Sequence, residues 1–243
     1  MERVDKKQCF LFDWDDNIIF MGSRIHMERL ENGTWVRVDV PTDEFRHLRT
    51  DPLHRLIQNP DPFLAFRDNN IFLEDLEKAI TNKAFGPSFK RFKQCLIEGR
   101  CFGIITARGH SIKAMKEGVK IIINRTLTAE EKAKMIARVG SINSYINEQT
   151  YHPVSSPYFA RKFKLDEVTA NKPELGKAIA FRDYVQKNTT EGAKMSIGFS
   201  DDDKRNLKVI ENLITSELQG QYPHIQFVMY DTSNPKRTIR KAL

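Results

Sequence analysis

The sequence predicts an α/β fold, an open Rossmann-like parallel sheet with helices on both faces. Two observations predict it. Four short apolar runs, QCFLF (8–12), CFGIIT (101–106), KMSIGFS (194–200) and HIQFVMY (224–230), read as strands buried on both faces. Helical stretches lie between them, and strands alternating with helices imply βαβ crossovers.

The elements follow in chain order. QCFLF stops abruptly at acids. Residues 18–84 break the alternation: Asn32-Gly33 sits between two alternating runs, FMGSRIHMERL and TWVRVDV, the signal for a tight hairpin. DEFRHLRTDPLHRLI (43–57) and FLEDLEKAITN (72–82) read as short helices. SFKRFKQCLIEG (88–99) is a helix before the second strand. Residues 110–150 read as helical throughout, with Thr128 and Glu131 spaced as a capping box. PYFARKF (157–163) is a candidate further strand. KPELGKAIAFRDYVQKN (172–188) and DKRNLKVIENLITSELQ (203–219) are helices around the third strand, the latter with Leu207, Ile210, Leu213, Ile214 and Leu218 on one face. The basic tail NPKRTIRKAL reads as solvated. Residues 1–243 are therefore expected to form one domain. A β-hairpin flap with short helices (18–84) and a helical insertion (110–150) are expected as a cap over the edge where open α/β sheets bind ligands.

Composition narrows the function classes. Of the 243 residues, 40% are hydrophobic and 29% charged, enough apolar material for a core. No run approaches the ~18 apolar residues of a membrane helix, and no signal or lipidation motif is present, so a cytoplasmic protein without a membrane partner is expected. Cys9, Cys95 and Cys101 lack the spacing of a disulfide framework or zinc site and read as small buried side chains. The net charge of +7 favours anionic ligands: a phosphorylated small molecule, a nucleotide or nucleic acid. Oligomeric state is not legible.

Four features at or beside strand ends carry chemistry. Asp13 and Asp15 in FLFDWDDN are spaced for one carboxylate to attack phosphorus and bind a hard cation while the other moves protons. In GIITARG, Thr106 offers a hydroxyl, Ala107 a backbone N–H and Arg108 a bidentate cation for a phosphate. In NKPELGK, Lys172 or Lys177 can place an ammonium beside the nucleophile. In SIGFSDDDKRN, Asp201, Asp202 and Asp203 repel one another unless a cation such as Mg²⁺ lies nearby. His110 and His152 are the histidines best placed to reach such a site. Trp14, between the two acids, is a candidate substrate contact or a packing residue. Trp35 and Arg37 on the hairpin are further candidate contacts.

The order of FLFDWDD, GIITARG, NKPELGK and SIGFSDDD resembles the haloacid dehalogenase (HAD) superfamily of phosphatases and phosphotransferases. The resemblance spans the sheet framework, not the insertions. It implies Asp13 as the nucleophile that forms an aspartyl-phosphate and Asp15 as general acid/base. It implies Thr106 as the hydroxyl holding phosphoryl oxygens, and Asp201 and Asp202 as Mg²⁺ carboxylates together with Asp13 and the Asp15 backbone carbonyl. Lys172 matches the family lysine best, through its Lys-Pro helix start, with Lys177 the alternate. Two departures stand out. The family usually has Thr or Val where this chain has Asn17, and the last motif reads Gly198-Phe199-Ser200 before the acids, which leaves open which of Asp201 to Asp203 bind metal. The function expected is a Mg²⁺-dependent phosphomonoesterase. The alternatives are a nucleic-acid end-processing phosphatase and a catalytically silent HAD-like binding module.

Overall fold

The structure, a computed structural model, describes residues 7–189, 192 and 194–243, the side chains of Asp43 and Arg46 excepted. Among them, β1 (Lys7–Phe12), β5 (Cys101–Thr106), β6 (Thr150–Pro153), β7 (Met195–Asp201), β8 (Ile225–Asn234) and β9 (Arg237–Ala242) form one sheet in the order β6-β5-β1-β7-β8-β9. All pairs are parallel except β8–β9. A second, antiparallel sheet of order β3-β2-β4 comprises β2 (Ile25–Glu31), β3 (Thr34–Val40) and β4 (His54–Leu56).

Side-chain alternation puts a core on each face of the large sheet. Phe12, Phe102 and Ile104 point to one face. There they pack with α2 (Asn69–Thr81), α3 (Phe89–Ile97), α4 (Ile112–Thr126), α5 (Ala129–Val139) and α6 (Ile142–Glu148), through Phe72, Phe92, Met115, Ile122, Met135 and Tyr145. Cys9, Leu11, Ile105, Ile197, Phe199 and Phe227 point to the other face. They meet α7 (Pro157–Phe163), α9 (Pro173–Asn188) and α10 (Lys204–Leu213) through Phe159, Phe181, Val185 and Ile210. Cys9 and Cys95 are buried as expected, Cys101 is partly buried opposite Cys9, and all three are free.

The chain leaves β1 toward β5 and β6 on one side, and β7 and β8 lie on the other. The strand order therefore reverses beside β1, and the ends of β1, β5 and β7 border the crevice where such sheets place ligands.

The hairpin forms as expected. Asn32 and Gly33 both have positive φ (49° and 81°), and Glu31 pairs with Thr34. The base of this insertion is closed tightly. Ile19 bridges Phe85, Gly86 N–H donates to the Ile18 carbonyl at 2.9 Å, and a Cβ on Gly86 would lie 2.4 Å from the Asn17 carbonyl oxygen. Only glycine admits that approach.

Several expectations are corrected. PYFARKF is helix α7, not a strand: Ser156 caps it by accepting from Phe159 N–H, and Pro157 opens it. The added strand is β6, which begins where the stretch expected to be helical ends. The segment 110–150 is not a cap. Helices α4 to α6 are the crossover from β5 to β6, and their apolar faces fill the core against Phe102 and Ile104. Likewise α2 packs on α4 beneath the sheet, so the part of 18–84 outside the two cores is the small sheet with α1 (Thr42–Leu48) and the turn Leu64–Phe66. Residues 54–56 are strand β4, not helix, because β2 offers them an edge. The basic tail is solvated as expected, with every residue of Arg237–Ala242 exposed, but it is also a strand, β9, paired along β8. No helix among the described residues is long and apolar enough to cross a membrane.

Phe102 makes edge contacts with Phe92, Tyr145 and Tyr151 at ring separations of 5.3, 5.8 and 6.2 Å. Phe102→Ala is expected to destabilise the fold by about 3–5 kcal/mol, read as a lower urea midpoint at unchanged m-value.

Candidate active site

Asp13 follows β1 directly, and its N–H donates to the Ser200 carbonyl at 2.9 Å, extending the β1–β7 ladder by one residue. The same pairing brings Asp201, the last residue of β7, beside it. Carboxylate oxygens of Asp13, Asp201 and Asp202 lie within 4.8 Å of one another, and all three residues are buried. These acids come from positions 188 residues apart and meet because two parallel strands end together.

Lys177 holds this arrangement. Its Nζ lies 2.9 Å from Asp13 Oδ1 and donates to Asp201 Oδ2 at 2.7 Å, and its side chain is 1% exposed. Lys172, the lysine preferred by resemblance, is corrected: it is the exposed residue before α9. Lys177 lies more than one turn further along, and helical side chains lean back toward the N-terminus, which carries its ammonium into the crevice. Asn206 Nδ2 donates to both oxygens of Asp201, at 3.0 and 3.1 Å. Asp203 turns away: it caps α10 through Arg205 N–H and pairs with the Arg205 guanidinium at 2.6 Å. The open choice among the three acids is thus narrowed by geometry to Asp201 and Asp202.

Burial pushes the Asp13 carboxyl well above the ordinary carboxylate range. Lys177 opposes the rise, and Asp201, Asp202 and Asp15 add to it. Burial acts against the Lys177 ammonium too, but Asp13 and Asp201 outweigh it and hold its pKa above that of an ordinary lysine. Asp13 and Asp201 share the Lys177 ammonium, and Asp202 lies in the same cluster. An all-oxygen donor set of this kind suits a hard divalent cation such as Mg²⁺, which takes one or two protein carboxylates and keeps several waters.

Asn17 explains one departure from the expected motif. Its Nδ2 donates to the Asp13 carbonyl (3.0 Å) and to the Ser200 carbonyl and hydroxyl (3.1 and 3.0 Å). Its Oδ1 accepts from Thr232 at 2.9 Å. One buried amide therefore ties together the ends of β1, β7 and β8.

Thr106 ends β5 and is fully buried, accepting the Arg108 N–H at 3.3 Å, and Ala107 beside it is exposed. Arg108 does not face the crevice as a phosphate ligand. Its side chain is fully buried and clamps Asp15: Nε lies 2.8 and 3.1 Å from the two carboxylate oxygens, and Nη2 lies 2.6 Å from Oδ1. The remaining donors reach Ser23 Oγ (3.0 Å), the Ala65 carbonyl (3.3 Å) and His110 Nε2 (3.0 Å). Arginine has only donors, so His110 accepts through Nε2 as the neutral ring. Burial, then the Arg108 charge, bring its pKa down to about 4. His110 thus supports Arg108 from behind, and it stacks on Phe72 with ring centroids 4.7 Å apart.

Other candidates fall outside the carboxylate cluster. Trp14 is buried in the core against Phe72, 5.4 Å between centroids, and is a packing residue rather than a substrate contact. His152 lies 3.4 Å from Asp183 and packs on Phe159 and Phe163 of α7. On the small sheet, Trp35 carries Arg55 over its ring at 4.1 Å, and Arg37 donates to Asp39 at 3.4 Å. Sequence reading missed Asn206, Ser23 and Asp75, whose Oδ2 accepts the Ser23 hydroxyl at 3.0 Å. Only Asn206 left a signal, one helical turn beyond the DDD run.

No protein-family model, no curated protein and no solved structure matches the chain.

The raised Asp13 pKa fixes a sign. In metal-free protein the folded state holds the Asp13 proton more tightly than the unfolded chain does. The favourable contribution of this group is therefore full below the ordinary carboxyl range and is lost as pH rises through the raised value. Asp13→Asn lacks this term. With chelator present, its thermal midpoint is expected to gain on that of the wild type as pH rises from about 4. A difference that stays flat or shrinks with pH contradicts the assignment.

Proposed function

We propose that this protein is a Mg²⁺-dependent phosphomonoesterase that works through an aspartyl-phosphate on Asp13, a HAD-type chemistry. The observation that carries this reading is the convergence of Asp13, Asp201 and Asp202 around Lys177 at the ends of β1 and β7. Asp13, Asp201, Asp202 and the Asp15 backbone carbonyl are the groups that would hold the ion. When bound, Mg²⁺ supplies neutralisation of charge on the phosphoryl oxygens.

The chain's own residues then divide the work. An Asp13 carboxylate oxygen attacks phosphorus, and the bond from phosphorus to the ester oxygen breaks. Asp15 gives the departing oxygen its proton. In the second half, Asp15 takes a proton from water as the water oxygen attacks the same phosphorus. The acyl-phosphate bond breaks at the Asp13 oxygen, which restores the carboxylate and releases inorganic phosphate. Lys177 fixes the orientation of Asp13 and adds positive charge beside the transferring group. The Thr106 hydroxyl and the N–H of Ala107 hold phosphoryl oxygens.

A second reading concerns the substrate. The β8–β9 hairpin displays Lys236, Arg237 and Arg240, all exposed, along one edge of the sheet. A fixed basic edge favours a polyanion such as a terminally phosphorylated oligonucleotide.

Asp13→Asn is expected to abolish Mg²⁺-dependent release of p-nitrophenol from its phosphate ester while circular dichroism stays unchanged, and chelation should do the same reversibly. Lys177→Met should lower kcat on the order of 10²–10³-fold, while Lys172→Ala should stay within about twofold of wild type. Undiminished turnover by Asp13→Asn refutes the nucleophile. For the polynucleotide reading, KM for a 3′- or 5′-phosphorylated oligonucleotide should rise steeply between ~50 and ~200 mM salt, and KM for p-nitrophenyl phosphate should not. Equal salt responses favour a small substrate.

A further inference from the structure

Arg108 is the most completely engaged charged side chain near the crevice. Guanidinium offers five N–H donors in a fixed plane. Nε and one Nη2 hydrogen go to Asp15, the other Nη2 hydrogen goes to Ser23, and Nη1 serves the Ala65 carbonyl and His110. Ser23 passes its own hydroxyl hydrogen to Asp75 Oδ2 at 3.0 Å, so α2 braces the network from below. The Phe66 and Phe72 rings lie 4.8 and 5.4 Å from the guanidinium carbon. With all five donors placed and the side chain sealed from water, Arg108 has nothing to offer a phosphoryl oxygen.

What it does hold has two sides. One is Asp15, whose side chain is 15% exposed and so faces both the clamp and the crevice. The other is the insertion after β1. Ser23 lies at its start, and Ala65 and Phe66 lie where it returns. The adjacent Gly109 N–H donates to the Phe66 carbonyl at 2.9 Å. The Thr42 hydroxyl, at the start of α1, donates to Asp16 at 2.7 Å and seats the insertion on the residue after Asp15.

We propose that Arg108 is a positioning residue that fixes the orientation of the Asp15 carboxylate and makes that orientation depend on the seating of the 23–66 insertion. Bidentate geometry sets the carboxylate plane, not only its distance, which a lysine cannot reproduce. The proposal rests on the phosphatase reading for what Asp15 does, but the mechanical tie between Asp15, Arg108 and the insertion does not.

The experiment has two arms, on the full chain. In the first, wild type, Arg108→Lys and Ser23→Ala are compared with Mg²⁺ on p-nitrophenyl phosphate and on glycerol phosphate. A misplaced acid costs most where the leaving oxygen needs a proton, and general acid catalysis contributes roughly 10²–10⁴-fold. Arg108→Lys should therefore lower kcat about 10²-fold on the alkyl ester but less than about tenfold on the aryl ester, with KM on both within about twofold. Ser23→Ala should shift the same ratio in the same direction by less. Equal losses on both esters would mean that Arg108 only supports folding. A rise in KM on both would mean that it touches phosphate. Either result overturns the proposal.

The second arm reads amide hydrogen exchange. In Arg108→Lys and in Asp15→Asn, the Gly109 amide and those of residues 64–68 should exchange about tenfold faster or more, while those of β1 and β7 keep their wild-type rates. Unchanged exchange in both variants overturns the tie whatever the activity. A wild type inactive on both esters sinks the phosphatase reading alone, and the exchange data still decide whether Arg108 joins Asp15 to the insertion.

Discussion

A single lysine ammonium makes the carboxylate site possible. Asp13 and Asp201 are buried at the ends of neighbouring strands, where two carboxylates at close range with Asp202 beside them repel each other at low effective dielectric. Lys177 Nζ, within 3 Å of an oxygen of each, is the counter-charge that lets them stay close. The requirement is stringent, because breaking a buried pair by removing one partner is far more destabilising than never building it. Asp202 lies in the same cluster, so three carboxylates share one small volume. Burial is the larger cause of the raised Asp13 pKa, and the neighbouring carboxylates add to it.

A second, separate ion pair lies only two residues away. Asp15 takes its counter-charge from Arg108 rather than from Lys177. The two acids of the D-x-D motif therefore sit in different electrostatic settings although they are sequence neighbours. Asp13 belongs to the carboxylate cluster, and Asp15 belongs to a hydrogen-bonded network reaching the insertion. Two carboxyl groups with different surroundings are what a reaction needs when one must attack and the other must move protons.

The strand ends were legible in the sequence because burial on both faces writes a continuous apolar run, and the acids that end QCFLF and SIGFS mark where each strand meets the crevice. What was not legible has physical reasons. PYFARKF carries aromatic residues that suit a strand, but Ser156 and Pro157 set a helix start, and that local signal decided. Strand β6 is only four residues long and gains its place from the β5 edge, which no local pattern encodes. Lys172 and Lys177 lie in one short stretch, and only the pitch and direction of α9 separate an exposed cap residue from a buried one. Arg108 read as a phosphate ligand because it follows Thr106 at a strand end. That four of its five donors are consumed by Asp15, Ser23 and Ala65 depends on chain segments 40 or more residues distant, and only the His110 partner is local.

Asn17, a departure from the expected motif, has a structural use. A threonine or valine at that position would offer a methyl and at most one hydroxyl. The amide instead offers two hydrogens and an acceptor, and it uses them on three strand ends at once. Its own carbonyl accepts from Ser88 N–H at 2.8 Å and abuts Gly86, where the chain re-enters after the insertion. The geometry of Asp13 is therefore fixed from two directions: Asn17 holds its backbone and Lys177 its side chain. Under the proposed chemistry, holding Asp13 at both points removes the rotational freedom that would otherwise be lost in reaching the transition state. Asn17 therefore lies behind the Asp13 side chain, on its backbone, rather than among the clustered carboxylates.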